Sequence, residues 1–269
     1  MFGSVLLKSI DISPSKIIPF GILGLGILVL LVAFTGVDQI LAAISRTDKR
    51  IYFLTFLVQI SAILVWLTKW RILSNAIGLK VGTRRMFPIL LSGIFVNTAI
   101  PSAKVGGEPL RGYMFSKLGE VPMEKSFASV AADRAVDGIP FIVIILVSLS
   151  FVISRGELPL YTIFLLIPAA VVVSAAIVAF LYVCVRPKPA KSFVHWLIQK
   201  LRRIISKFRP ISYVERKAED FLEEFGEGAQ QIFGNRSHSA AALGLSFLYW
   251  LLSIFRMYLV FMALGKSIS

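Results

Sequence analysis

Between Asn97 and Asp137 the chain gathers residue types that can hold an anion: Lys104, Gly106, Gly107, Glu108 and Arg111, then Asp133, Arg134 and Asp137. Pro101 and Pro109 flank the two glycines. Proline withdraws a backbone donor, and glycine permits positive φ or the close approach of a neighbouring group, so the segment reads as a turn. Backbone amides in such a turn, at the start of a following helix, form a ready anion site. Lys104 and Arg111 would add charge-assisted contacts to a phosphate, Arg111 through two parallel N–H bonds. Glu108 and Arg111 are three positions apart, so on a helix they share a face and can pair. A structural turn closed by that pair accounts for the same residues without a ligand. Composition alone leaves the two readings level.

Downstream, Pro122 suits a first helical turn with Glu124 close behind. Ala128, Ala131, Ala132 and Ala135 follow at a spacing that lets membrane helices pack closely. Asp133 and Asp137 lie one helical turn apart with Arg134 beside them. They could lock a helix end, or form the polar wall of a cavity. Glu108, Asp133 and Asp137 balance Lys104, Arg111 and Arg134 in charge, so the second group is expected to pair with the first.

The elements that must position these residues are lipid-soluble. The chain has 269 residues, of which 57% are hydrophobic and only 16% charged, and its mean hydropathy is +0.80. Soluble domains carry about 25% charged residues. Five stretches reach or approach the ~20 apolar residues that cross a ~30 Å hydrocarbon layer: 17–36, 51–68, 138–153, 158–185 and 239–265. The expected fold is all-α, a polytopic helical membrane protein forming a single transmembrane domain over residues 1–269. The first stretch lacks a small-x-small cleavage site and is followed by further spans, so it is taken as a retained helix rather than a signal peptide.

Met86 to Ile100 is apolar but too short to cross, and Pro101 ends it. If it dips in and returns, the basic residues separate more cleanly between the two faces than if it crosses. A re-entrant hairpin around 86–119, entered from the cytoplasm, is therefore expected. The N-terminus would be cytoplasmic and the protein multi-pass in the cell membrane. Residues 186–238 are the one sizeable hydrophilic stretch. Basic residues there alternate with Trp196, Leu197, Leu201, Ile204, Ile205 and Phe208, which suits a helix lying among lipid headgroups. An acidic second half carries Phe221, Leu222 and Phe225 on one face. The expectation is an amphipathic hairpin on the cytoplasmic surface; a solvated linker is the simpler alternative.

Several chemistries are excluded or disfavoured. Cys184 is the single cysteine and His195 and His238 lie far apart, so neither a disulfide framework nor a His- or Cys-based metal site is expected. No nucleophile–base pair or dinucleotide fingerprint occurs, and Gly21–Gly26 lies inside an apolar run; no catalytic residue and no cofactor are expected. The net charge of +14 fits the positive-inside bias and attraction to anionic lipid headgroups. Nucleic acid is not expected as a partner, because the basic residues are spread between spans without a binding motif. Arg256 stands alone inside the last span and could snorkel to the far interface.

Asn97, Pro101, Lys104-x-Gly106-Gly107-Glu108-Pro109-x-Arg111 and Asp133-Arg134-x-x-Asp137 together resemble the lysylphosphatidylglycerol synthase transmembrane-region family. That family includes the flippase half of the multiple peptide resistance factor. The order of spans is similar over nearly the whole chain. The resemblance implies a membrane protein that moves or handles an anionic phospholipid or an isoprenoid phosphate. The matching positions are Asn97, Pro101, Gly106, Gly107, Glu108, Arg111, Asp133, Arg134 and Asp137. Members usually continue into further spans, so a shortened chain is expected here. The soluble aminoacyltransferase domain is not in this sequence, so lysylated-lipid synthesis is not expected. A role as an accessory subunit anchoring a glycosyltransferase or lipid-modifying enzyme is the alternative. Partnership with such an enzyme, or with a second copy, stays open.

Overall fold

In the computed structural model, residues 26, 29, 32–99, 106–156, 159–185, 192, 195–196, 199–200 and 211–265 are described. Among these, every regular element is an α-helix and no strand occurs. The helices are α1 (Val37–Arg46), α2 (Lys49–Ala76), α3 (Thr83–Ala99), α4 (Gly107–Gly119), α5 (Met123–Arg155), α6 (Leu160–Val185), α7 (Ile211–Gly234) and α8 (Arg236–Ala263). Four contain segments long and apolar enough to cross a membrane: Lys49–Ala76, Met123–Arg155, Tyr161–Phe180 and Arg236–Ala263. Their large side chains point outward, as with Leu165 at 72% and Val147 at 63% exposure. Water would penalise that surface and hydrocarbon would not. The chain is an all-α, multi-pass membrane protein. The expected first span, 17–36, lies mostly outside the described residues, as does most of the basic half of 186–238.

The described residues form two compact units. One holds residues up to Leu64, Gly82–Glu120 and residues from Leu251 on; the other holds Val65–Val81 and Val121–Trp250. α2 and α8 contribute a half to each.

In the first unit, Asp48 starts α2 by accepting the N–H groups of Arg50 and Ile51 on Oδ1 at 2.8 and 3.3 Å. Its own N–H donates to the Ala263 carbonyl at 2.9 Å, which fastens the start of α2 to the end of α8. α3 and α4, of 17 and 13 residues, pack against each other. At ~1.5 Å per residue they measure about 26 and 20 Å, each short of a ~30 Å hydrocarbon layer. α4 ends at Glu120, whose φ of 56° puts it in the left-handed region while its N–H bonds the Ser116 carbonyl. Arg85 and Glu120, both exposed, approach to 4.0 Å.

The second unit is built on α5, a 33-residue helix with Pro140 inside it. Proline there removes one intrahelical bond and favours a bend. Ala128, Ala132 and Ala135 are fully buried, whereas Ala131 is only partly so. α7 packs on α5 and α6. Gly228 lies so near α5 that an added Cβ would stand 3.2 Å from the Ala128 Cβ. Phe221 meets Phe127 edge-on at 5.9 Å and stacks on Phe225 at 6.3 Å. Small residues and aromatic edges thus seat the apolar side of α7, while Glu219, Asp220, Glu224 and Glu227 stay exposed.

Candidate functional site

Among the described residues, the densest buried charge lies in the second unit. α2 continues through Lys69 to Ala76, beyond the apolar run that ends at Thr68. The Lys69 ammonium is fully buried, 3.1 Å from Asp133 Oδ1, and also donates to Asp137 Oδ1. Trp66 Nε1–H donates to Asp133 Oδ2 at 2.8 Å. From α8, the Ser246 hydroxyl donates to Asp137 Oδ1 at 2.5 Å and Trp250 Nε1–H donates to the Asp137 carbonyl at 3.2 Å. Arg134 completes the group. Its Nη1 lies 3.8 Å from Asp137 Oδ2, and its guanidinium sits over the Trp66 ring at 4.7 Å. Lys69 and Arg134 thus meet Asp133 and Asp137, two charges of each sign.

This geometry follows from helical spacing. Trp66, Lys69, Trp70 and Leu73 recur three and four residues apart and are all buried, so one stripe of α2 faces α5. Asp133 and Asp137 answer from one stripe of α5. Lys69 lies about 10 Å before the end of α2 at ~1.5 Å per residue. Removing an ion that deep from water costs several kcal/mol, which only close opposite charge and hydrogen bonds can offset. The indole N–H groups and the hydroxyl supply those bonds; Trp70 Nε1–H likewise reaches Ser129 Oγ at 3.2 Å. Within the second unit, Asp133 and Asp137 share Lys69 as a partner.

In the first unit, the apex of the α3–α4 hairpin carries the other expected site residues. Asn97, in the last turn of α3, accepts the Gly107 N–H on Oδ1 at 2.8 Å, and its Nδ2 donates to Glu108 Oε1 at 3.4 Å. A side chain from the preceding helix thus caps α4; Gly106, at the N-cap position, has no side chain to do so. Gly106 has a φ of −69°, so no left-handed turn is needed there. Gly107 serves close approach instead: an added Cβ would stand 2.3 Å from the Gly93 carbonyl oxygen and 2.7 Å from the Asn97 amide. Arg111 is fully buried, its Cγ and Cδ lying over Gly93. Lys104 and Pro101 lie outside the described residues.

Within the first unit Asn97, Gly107 and Glu108 lie together, with Arg111 one turn along α4; within the second, Asp133, Arg134 and Asp137 lie together. Lys69, Trp66, Ser246 and Trp250 join the second group without having been singled out from sequence. Among the described residues no group of three or more His, Cys, Asp and Glu side chains could hold a metal ion.

Residues 21–269 match the family model described as the lysylphosphatidylglycerol synthase TM region. Similar proteins include two described as UPF0104 membrane proteins from Methanothermobacter thermautotrophicus. One is 29% identical over 94% of this chain and 73% of its own length, the other 27% over the same shares. A UPF0104 membrane protein of Methanocaldococcus jannaschii is 25% identical over 89% of this chain and 69% of its own. No solved structure matches.

Proposed function

Because the chain belongs to the lysylphosphatidylglycerol synthase transmembrane-region family, we propose that it is a lipid-handling membrane protein that binds an anionic, phosphate-bearing lipid and passes its headgroup across or along the bilayer. The observation that carries this reading is Arg111: a fully buried guanidinium in a two-helix hairpin whose helices are each too short to span. Ionisable groups held among membrane helices are costly and tend to mark the path of a polar substrate. Arg111 and Lys104 receive the phosphate, and Asn97 and Glu108 hold the α4 start in place. Because the Gly107 amide is bonded to Asn97, the side-chain cations rather than that amide make the primary contact. Asp133, Arg134 and Asp137, tied to Lys69, balance charge within the second unit.

The protein acts without bond-making chemistry of its own. It lies in the cell membrane with its N-terminus in the cytoplasm, and the α3–α4 hairpin enters from that side. The reading is supported by the burial of Arg111 and by the absence of a nucleophile–base pair from the sequence. Lipid mass spectrometry of the purified protein tests it. Wild type is expected to retain a phosphate-bearing lipid enriched over the host membrane, and Arg111→Ala with Glu108→Ala to retain only the bulk mixture. Equal enrichment in both, or none in either, overturns the assignment of this site.

The exposed acidic edge of α7 (Glu219, Asp220, Glu224 and Glu227) favours a second reading, an accessory subunit that anchors a membrane enzyme through a basic surface. Charge reversal of those four residues separates the two. Loss of a captured enzyme with lipid retention intact supports the accessory role.

A further inference from the structure

The first unit contains a second, half-buried cation, Arg256, and the partner the structure shows for it is an amide. Arg256 of α8 donates from Nη1 to Gln59 Oε1 of α2. Asp48 and Ala263 fasten the α2 start to the α8 end, which fixes the depth of this pair. Gln59 lies about 15 Å along α2 from Lys49, and Arg256 about 10 Å along α8 from Ala263, at ~1.5 Å per residue. The guanidinium therefore reaches close to the middle of a ~30 Å hydrocarbon layer. Side chains on a helix lean toward its N-terminus, and Arg256 reaches Gln59 on α2.

A guanidinium at that depth needs a counter-charge, and Gln59 supplies only a dipole. None of the apolar runs 17–36, 51–68, 86–100, 138–153, 158–185 and 239–265 contains Asp or Glu. Asp133 and Asp137 are bonded to Lys69 within the second unit. Asp48 has Oδ1 committed to the first turn of α2. A second copy of this chain has the same sequence and so offers no span-borne carboxylate either. Both residues are only partly buried, beside outward-facing Phe56, Ile60 and Phe255, so the guanidinium is accessible from the lipid side.

We propose that Arg256, oriented by Gln59, is a mid-membrane binding station for the anionic phosphate of a lipid headgroup. The proposal deepens the transport reading: it places a cation where a headgroup in transit has lost contact with both interfaces. The planar fork takes two phosphate oxygens at once, and the amide keeps the fork from turning to an interface.

The test uses the full chain purified in a neutral detergent. Phosphatidylglycerol is expected to raise the melting temperature of wild type, whereas phosphatidylcholine and inorganic phosphate do not. Arg256→Met is expected to show a clearly smaller shift, the Arg111 site supplying what remains, while melting no lower than wild type without lipid, since an uncompensated charge has been removed. Arg256→Lys should fall between Arg256→Met and wild type. In proteoliposomes, Arg256→Met should move labelled phosphatidylglycerol at least tenfold more slowly, with Arg256→Lys between. A shift with phosphatidylcholine or inorganic phosphate equal to that with phosphatidylglycerol overturns the proposal, as does an undiminished shift in Arg256→Met. Destabilisation of both variants regardless of lipid would assign Arg256 a structural role and also overturn it. If wild type moves no lipid yet Arg256→Met shows the smaller shift, this station stands and the transport reading fails. If wild type and Arg256→Met move lipid equally, the station alone fails.

Discussion

Replacing Lys69 with methionine is predicted to be among the most damaging single changes in the chain, and neutralising Asp133 is predicted to repair much of it. Lys69 stands 3.1 Å from Asp133 Oδ1 and also bonds Asp137, with no side-chain exposure at Lys69 or Asp133. At an effective dielectric of ~20, one such pair at that distance is worth about 5 kcal/mol. Mutations that break buried pairs cost about 3–5 kcal/mol, because the remaining charge has lost both its partner and water. Lys69→Met removes the ammonium that both carboxylates share and should lose about 3–5 kcal/mol. Lys69→Met with Asp133→Asn leaves Asp137 and Arg134 in balance. The new amide oxygen still accepts the Trp66 N–H, so at least half of the loss should return. Unfolding in mixed detergent–SDS micelles, followed by tryptophan fluorescence, measures both because Trp66, Trp70 and Trp250 lie in this unit. A Lys69→Met protein within about 1 kcal/mol of wild type, or a double variant no better than the single, refutes the reasoning; an exposed pair would give that small value.

Gly107→Ala should destabilise the hairpin more than Gly93→Ala. The first drives a methyl group to 2.3 Å from a backbone oxygen, whereas the second first meets the flexible Arg111 Cγ at 2.5 Å; thermal melting of both in one detergent ranks them. Asn97→Ala should cost about 1 kcal/mol by removing the acceptor of the Gly107 N–H, read as faster amide exchange at Gly107. Trp66→Phe keeps ring bulk but removes the 2.8 Å bond to Asp133. Loss of a hydrogen bond to a charged group predicts about 1.5–3 kcal/mol in the same unfolding measurement.

Much of the architecture was legible because hydrocarbon imposes a simple rule: a chain that crosses it must be long, apolar and hydrogen-bonded within itself. The pairing of Asp133 and Asp137 on one face was equally legible, since it depends only on helical period. Lys69 was not. It directly follows an apolar run and is followed by Trp70 and Arg71, so locally it reads as a basic residue at an interface. The missed signal was its phase, shared with Trp66 and Leu73, while Arg71 points outward. Gln59 and Arg256 were each visible as lone interruptions of a span, but no one-dimensional pattern links positions so distant. The capping of α4 by Asn97 was hidden for a related reason. A capping residue is sought just before its helix, and here the acceptor comes from the last turn of the preceding one. Gly107 serves close approach, and the left-handed backbone that glycine also allows is used at neither Gly106 nor Gly107.

The central proposal is that Arg111, with Arg256 along the path, carries a lipid phosphate through the bilayer. Its most direct test is the rate at which fluorescent phosphatidylglycerol becomes accessible to an external quencher in proteoliposomes holding the full chain. The account predicts movement well above protein-free vesicles for wild type, falling to their level with Arg111→Ala and Glu108→Ala together. Movement unchanged by that double substitution, or a wild type no faster than empty vesicles, would contradict it.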